Sequence, residues 1–490
     1  MNKINNFTGL QPAVEFFDAL GLPEVIRINI NASGAKGYKD DQIIKSLVIM
    51  QLAGGEALDH LNHCRNMLGA GPLGLEVPSP STARAYLNKF DNNEANKQRG
   101  QGRSFIPNEN DNLAGFAKIH FHLWEQAYKL NPHTIITLDQ DATFINTSNS
   151  DALFNYLGKK AYETFNTYCP EYDIIVGTQF RDGNVTPGYQ QLEEFKRILD
   201  NTPAGVQKVQ LRSDSAGYQI NLLRYCASGA NERFGVINFA IACLVTKELR
   251  DAAKLVPENA WQPIYKETKK GLKATNQEWA EVAYTSSELS KSGKNEEFRF
   301  FVMREEVILK DKERVKLHIE ETQLELPLQE TIENLEKENE NVKKLHLTEM
   351  NGKAYKIFAI VSNVLDQEGG ELIRWHRGRC GKSEEVHHIL KEELAGGHIV
   401  SHQFGANAAY WNIAVLALSL HNLMKTHVLP EECQSARPKT VRFMFYSIAG
   451  LLVSHARKIT LKVSGQFLYM MRRVQDRLRE VLKKLCVQRV

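Results

Sequence analysis

Two runs of apolar residues each end on acids, and a third acidic pair opens an amphipathic segment far downstream. Thr134-Ile-Ile-Thr-Leu-Asp-Gln-Asp-Ala-Thr143 offers Asp139 and Asp141, Val206-Gln-Lys-Val-Gln-Leu-Arg-Ser-Asp-Ser215 offers Asp214, and Ser383-Glu-Glu-Val-His-His-Ile-Leu-Lys391 offers Glu384 and Glu385. Carboxylates are the hard oxygen donors that Mg²⁺ or Mn²⁺ takes. Two such ions about 3.5–4 Å apart can activate a water and stabilise the leaving oxygen of a phosphodiester. Asp139 and Asp141 are two apart, so on a strand they share a face and either could reach a metal. Ser383 is a candidate N-cap, which places Glu384 and Glu385 in a first helical turn, where the helix dipole favours negative charge. Lys391 follows Glu384 by about two turns and shares its face, with His387 or His388 between them, so its ammonium suits a phosphate. Taken singly, each acid has a plain structural use: a first-turn carboxylate caps a helix, and a strand-end Asp makes an Asx-turn. Glycosidases also work with two carboxylates, so a carboxylate-pair hydrolase is a further reading of the bare pattern.

The elements that must position these groups read as an α/β arrangement. Strands are expected at Ile135 to Leu138, Tyr172 to Phe180, Val206 to Leu211 and Phe234 to Val245, with helices at Gln191 to Leu199 and Tyr218 to Ala227. Strands first, then alternating strand and helix, fit a mixed sheet. Trp279 to Tyr284, Phe298 to Met303 and Lys353 to Val361 read as β segments of a mainly β insertion, with a charged stretch from Glu320 to Lys344 inside it. The helix from Ser383 to Leu394 then returns to the sheet, and the apolar run Phe404 to Lys425 reads as a core helix. The chain thus divides into a helical region with a polar linker (1–130), the first part of a core (131–249), the insertion (250–365), the second part of the core (366–425) and a basic helical C-terminal region (426–490).

Two helices before residue 90, joined through a Gly/Pro-rich connection from Gly69 to Pro80, could form a helix-turn-helix. Arg84, Asn88 and Lys89 would then face DNA; a plain helical bundle is the alternative. Ser79 or Ser81 would cap the second helix, with Pro80 in its first turn. His60 and His63 read as structural, and His398 and His402 have no Cys partner at zinc spacing. Net charge is only +3, but Arg457, Lys458, Lys462, Arg472, Arg473, Arg477, Arg479, Lys483, Lys484 and Arg489 crowd the tail against Asp476 and Glu480 alone. That density suits phosphate backbone. Seven scattered Cys without a Cys-x-x-Cys pair exclude zinc-ribbon and thioredoxin chemistry and suggest a reducing compartment. No signal peptide is read at the N-terminus, and no apolar run reaches membrane-spanning length, so a cytoplasmic location with no membrane partner is expected.

Four ordered stretches carry a resemblance: Thr137-Leu-Asp-Gln-Asp-Ala-Thr143, Leu211-Arg-Ser-Asp-Ser-Ala-Gly217, Glu384 to Lys391 with Phe404-Gly-Ala-Asn-Ala-Ala-Tyr-Trp411, and Val441 to Lys458. The chain resembles bacterial insertion-sequence transposases of the DDE class, most of all the "thirteen-eighty" group with a β insertion before the Glu. The resemblance implies an RNase H-like core in which Asp141, Asp214 and Glu384 bind two Mg²⁺ (or Mn²⁺), with Asp139 the alternative first ligand. Asp141 and Glu384 are preferred on the Thr that follows Asp141 by two and on Lys391, seven after Glu384. It further implies double-stranded DNA partners (terminal inverted repeats and target DNA), a homodimer on DNA, and cleavage followed by strand transfer; in a bacterial cell the protein would join the nucleoid when DNA-bound. Arg84, Lys89, Arg377, Arg379, Lys391, Arg457, Lys458, Arg472 and Arg473 are the expected DNA contacts. Relatives often place Tyr seven and Arg four residues before the Glu; here Arg377 and Cys380 stand there, with Arg379 one step off, so roles in a hairpin intermediate do not transfer. Trp261 and Trp279 could stack on a flipped base, although core packing is the plainer role. A catalytically inactive, DNA-binding descendant is the alternative to an enzyme.

Overall fold

The computed structural model describes residues 3–68, 75–102, 104–268, 271–286, 289, 297–308, 347–455 and 458–487. Two compact units divide the chain: Met1–Gln210 with Cys380–Val490, and Leu211–Arg379.

The first unit opens with β1 (Lys3–Asn5) and the helices α1 (Gln11–Ala19), α2 (Leu22–Asn29), α3 (Asp40–Ala53), α4 (Leu61–Leu68), α5 (Pro80–Leu87), α6 (Asn93–Asn96) and α7 (Asp111–Leu130). Gly54, at φ +93°, ends α3 where a Cβ would strike the Arg442 side chain. Ser79 caps α5 by accepting from the Thr82 N–H at 3.1 Å, with Pro80 at the first helical position, as the sequence indicates. The connection expected between α4 and α5 lies largely outside the described residues.

An antiparallel meander follows: β2 (Ile135–Asn146), β3 (Leu153–Phe154), β4 (Lys160–Cys169) and β5 (Ile174–Asp182), then α8 (Gln191–Asp200). β2 runs eight residues beyond Leu138, because Asp139 to Asn146 pair with Tyr168 to Ala161 of β4. β4 is buried on both faces. One face carries a fully buried ion pair, Arg181 with Glu163 at 3.5 Å. On that side α8 joins the sheet through the Gln191 amide, which donates to Gln140 Oε1 at 3.0 Å.

The chain passes to the second unit within β6 (Lys208–Ser213). There follow α9 (Ile220–Ala227), β7 (Asn238–Ala242), α10 (Lys247–Lys254), β8 (Gln262–Thr268), β9 (Gly271–Val282), β10 (Arg299–Val307), β11 (Leu347–Met350), β12 (Lys353–Ser362) and α11 (Gly369–Arg377). The strands pair antiparallel in the order β7-β12-β10-β9-β8, with β11 also on β12. α11 covers this sheet by packing Leu372 and Ile373 on Trp279, Phe301 and Met303. Gly369 is required there: a Cβ would sit 2.3 Å from the Trp279 ring. Trp261 and Trp279 are each 7% exposed, and the Arg304 guanidinium lies over Trp261 at 4.1 Å, so both indoles are packing residues. The charged stretch Glu320 to Lys344 lies outside the described residues.

Back in the first unit, α12 (Lys382–His388) widens into a π-helical turn (Ile389–Glu393), followed by α13 (Phe404–His427), α14 (Glu431–Gln434), α15 (Pro438–Val441), β13 (Gly450–His455), β14 (Lys458–Val463) and α16 (Gly465–Val487). Every residue of α13 from Phe404 to Met424 is buried. A helix apolar all round belongs inside a core, and α13 lies against α3 and α7 as well as β5. Residues 450–463 form a β-hairpin, not a helix, and β13 also pairs with β1; alternation in Lys458-Ile-Thr-Leu-Lys-Val463 suits a strand. α16 buries Met471, Val474, Leu478, Val481 and Leu485, a three-four spaced stripe, and leaves Arg472, Arg479, Lys483 and Lys484 outside.

Candidate active site

On β2, Asp139 is 2% exposed and Asp141 is half-buried. Their register partners on β4 are Tyr168 and Asn166, and Asn166 in turn pairs with Thr178 of β5. Directly opposed residues share a face, so Asp141, Asn166 and Thr178 form one row across three strands. Hydrogen bonds lock this row from above. The Trp411 indole N–H of α13 donates to Thr178 Oγ1 at 2.8 Å, and the Thr178 hydroxyl donates to Asn166 Oδ1 at 2.6 Å. The Asn166 amide nitrogen then faces His387 Nε2 of α12 at 3.3 Å. With Oδ1 accepting from Thr178, Asn166 Nδ2 can only donate. His387 Nε2 is therefore the acceptor, and the ring proton belongs on Nδ1. Thr143, two residues past Asp141 on the same face, accepts at 3.0 Å from Lys391 Nζ, which also reaches the Phe144 carbonyl at 3.4 Å. Burial pushes the Lys391 pKa down.

α12 thus lies along β2, with Lys391 at Thr143 and His387 beside the Asp141 row. Glu384 is exposed in the first turn, and its Oε2 accepts from the Gly381 N–H at 2.5 Å. The N-cap position is Gly381, at φ +78°, and not Ser383, which sits buried inside the helix. Glu384 reaches back to the cap position and takes over the capping that Ser383 was expected to do. The π turn at 389–393 means that the Glu384-to-Lys391 spacing is not that of one regular helix. The start of α12 is fastened by charge. Lys382 and Lys425 each reach Asp173 at 3.1 Å, and the Tyr168 hydroxyl donates to the same carboxylate at 2.5 Å. Burial alone would raise the Asp173 pKa, but the two lysines and the Tyr168 hydrogen bond together outweigh it and hold the carboxyl below its ordinary value. Asp173 has φ +56°, a left-handed conformation that Asp and Asn tolerate.

In the second unit, Asp214 stands at the end of β6 and accepts from the Ala216 N–H at 3.1 Å, the Asx-turn geometry that a strand-end acid adopts. The end of β6 is tied to α11: Arg212 Nη1 donates to the Trp375 carbonyl at 2.6 Å, and His376 Nε2 lies 3.1 Å from the Ser213 carbonyl. Burial pushes His376 down to about 3, so it is neutral at pH 7. Arg377 reaches Met303 Sδ at 3.3 Å, and Arg379 is only 7% exposed.

Of the other basic positions, Arg84 is exposed on α5, while Lys89 is exposed yet donates to the Ala32 carbonyl at 2.7 Å. Arg472 is exposed on α16, and Arg473 pairs with Glu432 at 3.5 Å. Arg457 and the side chain of Lys458 lie outside the described residues. Asn166, Thr178, Trp411 and Asp173 were not singled out from sequence. The signal available for Asn166 was a polar side chain inside the strand-like run Tyr162-Glu-Thr-Phe-Asn-Thr-Tyr168.

The acids of the first unit supply only oxygen donors, with Asp141 and Glu384 reached by solvent, so their chemistry fits a hard divalent cation. Among the described residues, no three His, Cys, Asp or Glu side chains converge to hold a metal ion.

No curated protein matches the chain. Among solved structures, a piggyBac transposase synaptic complex with hairpin DNA aligns with 98% of this chain and 81% of its own at 9% identity, with a TM-score of 0.45. The family described as transposase DDE domain group 1 matches residues 15–486, nearly the whole length, and the chain belongs to it.

Proposed function

We propose that this transposase-family chain cuts DNA at the terminal inverted repeats of an insertion sequence and joins the freed 3′-hydroxyl ends to target DNA. Asp141, Asp214 and Glu384 are the proposed metal-binding acids, two Mg²⁺ or Mn²⁺ ions the cofactors, and a homodimer on DNA the working form. A bacterial element of the "thirteen-eighty" group is the proposed source, and the cytoplasm, with the nucleoid once DNA is bound, the proposed location. Among the described residues no helix is long and apolar enough to cross a membrane.

The observation that carries this reading is the row on β2. Asp141 is the half-buried acid, whereas Asp139 on the same face is buried beside Tyr168. The neighbours of Asp141 are locked by the Trp411–Thr178–Asn166–His387 chain, so its carboxylate is set on a rigid strand. Lys391, anchored on Thr143, holds an ammonium two residues along from it, placed for a phosphate oxygen. Glu384 is exposed and, with Oε2 held by the Gly381 N–H, has Oε1 to offer as a ligand. When bound, divalent metal would activate the attacking water or 3′-hydroxyl and stabilise the leaving oxygen. Arg84 and the outer face of α16 are the proposed duplex contacts, with Lys89, Arg377, Arg457, Lys458 and Arg473 as further candidates. Arg379 would have to leave its buried setting to join them.

The test is cleavage of a supercoiled plasmid carrying the element ends, in Mg²⁺ or Mn²⁺. Wild type should cut at the ends, and Asp141→Ala, Asp214→Ala and Glu384→Ala should each bind DNA but not cut it. Binding by wild type without metal-dependent cutting would favour the inactive DNA-binding regulator instead.

A further inference from the structure

We infer that Arg442 is a positioning residue that, through a π-helical turn, sets Lys391 on the strand of Asp141. The inference rests on the transposase reading for the task of Lys391, but its first readout needs no catalysis.

Lys391 stands in the middle of the widened turn Ile389–Glu393. There the Leu394 N–H reaches back five residues to the Ile389 carbonyl at 3.0 Å, and the Gly396 N–H reaches the Leu390 carbonyl at 2.8 Å. A π turn takes one residue more than an α turn, is rare, and recurs at functional sites. Closing it to an α turn would take out one residue, about 1.5 Å of rise and about 100° of rotation. Lys391 Nζ would then be drawn off Thr143 Oγ1, which it meets at 3.0 Å two residues past Asp141.

The hold on this turn comes from α15 and the residue after it. Glu393 is 8% exposed; its Oε2 accepts from the Lys439 N–H at 2.8 Å, and Arg437 Nε lies 3.3 Å from its Oε1. The Glu393 carbonyl accepts from Arg442 Nη2 at 2.9 Å. The same guanidinium donates to the last turn of α3, from Nε to the Leu52 carbonyl at 3.0 Å and from Nη2 to the Gln51 carbonyl at 3.2 Å. Carbonyls at a helix end lack partners in their own helix, and a cation suits the negative end of the dipole. One planar fork thus ties the end of α3 to the end of the π turn, a span that a lysine ammonium, a point charge, does not cover. The fold makes room for it at Gly54, where a Cβ would lie 2.9 Å from Arg442 Cζ. Arg442 also opens a second π turn, Arg442–Tyr446, closed by the Ser447 N–H on the Arg442 carbonyl at 3.0 Å. Its side chain is spent on backbone carbonyls, so it acts on the site through the turn that carries Lys391.

The experiment compares the full chain with Arg442→Gln and Arg442→Met. The first readout is the Lys391 pKa, followed by NMR of ¹³C-labelled lysine and assigned with Lys391→Arg. In the wild type burial holds this pKa below its ordinary 10.5. Both variants should let it rise toward that value, while an unchanged spectrum of the remaining lysines reports an intact fold. The Gln amide still donates to one carbonyl, so Arg442→Gln keeps the test open if Arg442→Met does not fold. The second readout is plasmid cleavage, which Arg442→Gln should slow on the order of a hundredfold at unchanged DNA affinity. Adding Arg442→Gln to Lys391→Met should cost nothing further, because both act on one contact. An unmoved Lys391 pKa in a folded variant, or losses of Arg442→Gln and Lys391→Met that multiply in the double variant, overturn the inference. A chain that never cuts DNA, yet whose Lys391 pKa rises in Arg442→Gln, would sink the transposase reading and leave the positioning role standing.

Discussion

Asp141 and Glu384, the two proposed ligands in the first unit, are held by different forces. Around Asp141 the fastening is a neutral, buried and directional chain from Trp411 through Thr178 and Asn166 to His387. At the start of α12 it is ionic and partly exposed, with Lys382 and Lys425 on Asp173, while Glu384 itself caps its own helix. Neutral buried hydrogen bonds respond little to salt, but partly exposed ion pairs respond to it strongly. The strand side is therefore preorganised, and the helix side is the part that can adjust when substrate arrives.

The largest way to break this contrast is Asn166→Ala. It strips the Thr178 hydroxyl and His387 of a buried partner at once and should cost about 2–4 kcal/mol, read from urea unfolding. The loss should be the same at low and high salt. Asp173→Asn comes next. It keeps the left-handed backbone but removes the charge that both lysines meet, and should cost about 1–2 kcal/mol at pH 7. The folded chain holds the Asp173 carboxyl below its ordinary value of 3.8, so as pH falls the unfolded chain takes up its proton first. Its contribution is therefore fully present above about pH 4 and fades below it. The gap between wild type and Asp173→Asn should narrow as unfolding is measured toward pH 3, and should shrink in high salt. A gap that ignores pH and salt would erase the distinction drawn here. The smallest effect is expected for Lys382→Met, since that side chain is 37% exposed and an exposed pair contributes about 0.5 kcal/mol. Its mark should instead be a higher Mg²⁺ requirement for cleavage at unchanged DNA affinity.

Local pattern carried much of the fold. The β6 run that leads to Asp214, the Ser79-Pro80 helix start and the apolar run that became α13 were all legible, because each is written in neighbouring residues. The rest depended on partners far away. The extension of β2 to Asn146 is held by pairing with β4 and not by an apolar alternation of its own. The row beside Asp141 joins residues 166, 178, 387 and 411, which no spacing rule connects. Ser383 looked like a cap, yet Gly381 can take the left-handed backbone of that corner and Glu384 supplies the cap oxygen. In the tail, counting charge hid the alternation that folds 450–463 into a hairpin. Choosing Asp141 over Asp139 rests on the family resemblance in the sequence; in the fold Asp139 is buried and Asp141 half-buried.

The most direct test of the central claim, that the Asp141 carboxylate is a metal ligand, is plasmid cleavage by Asp141→Cys in Mg²⁺ and in Mn²⁺, beside Asp139→Asn. A thiolate is a poor ligand for Mg²⁺ and a better one for softer ions. The account predicts that Asp141→Cys binds DNA, fails to cut in Mg²⁺ and regains cutting in Mn²⁺, while Asp139→Asn still cuts in Mg²⁺. Cutting by Asp141→Cys in Mg²⁺ at the wild-type rate, or loss of Mg²⁺-supported cutting in a folded Asp139→Asn chain with Asp141→Cys unaffected, would contradict it.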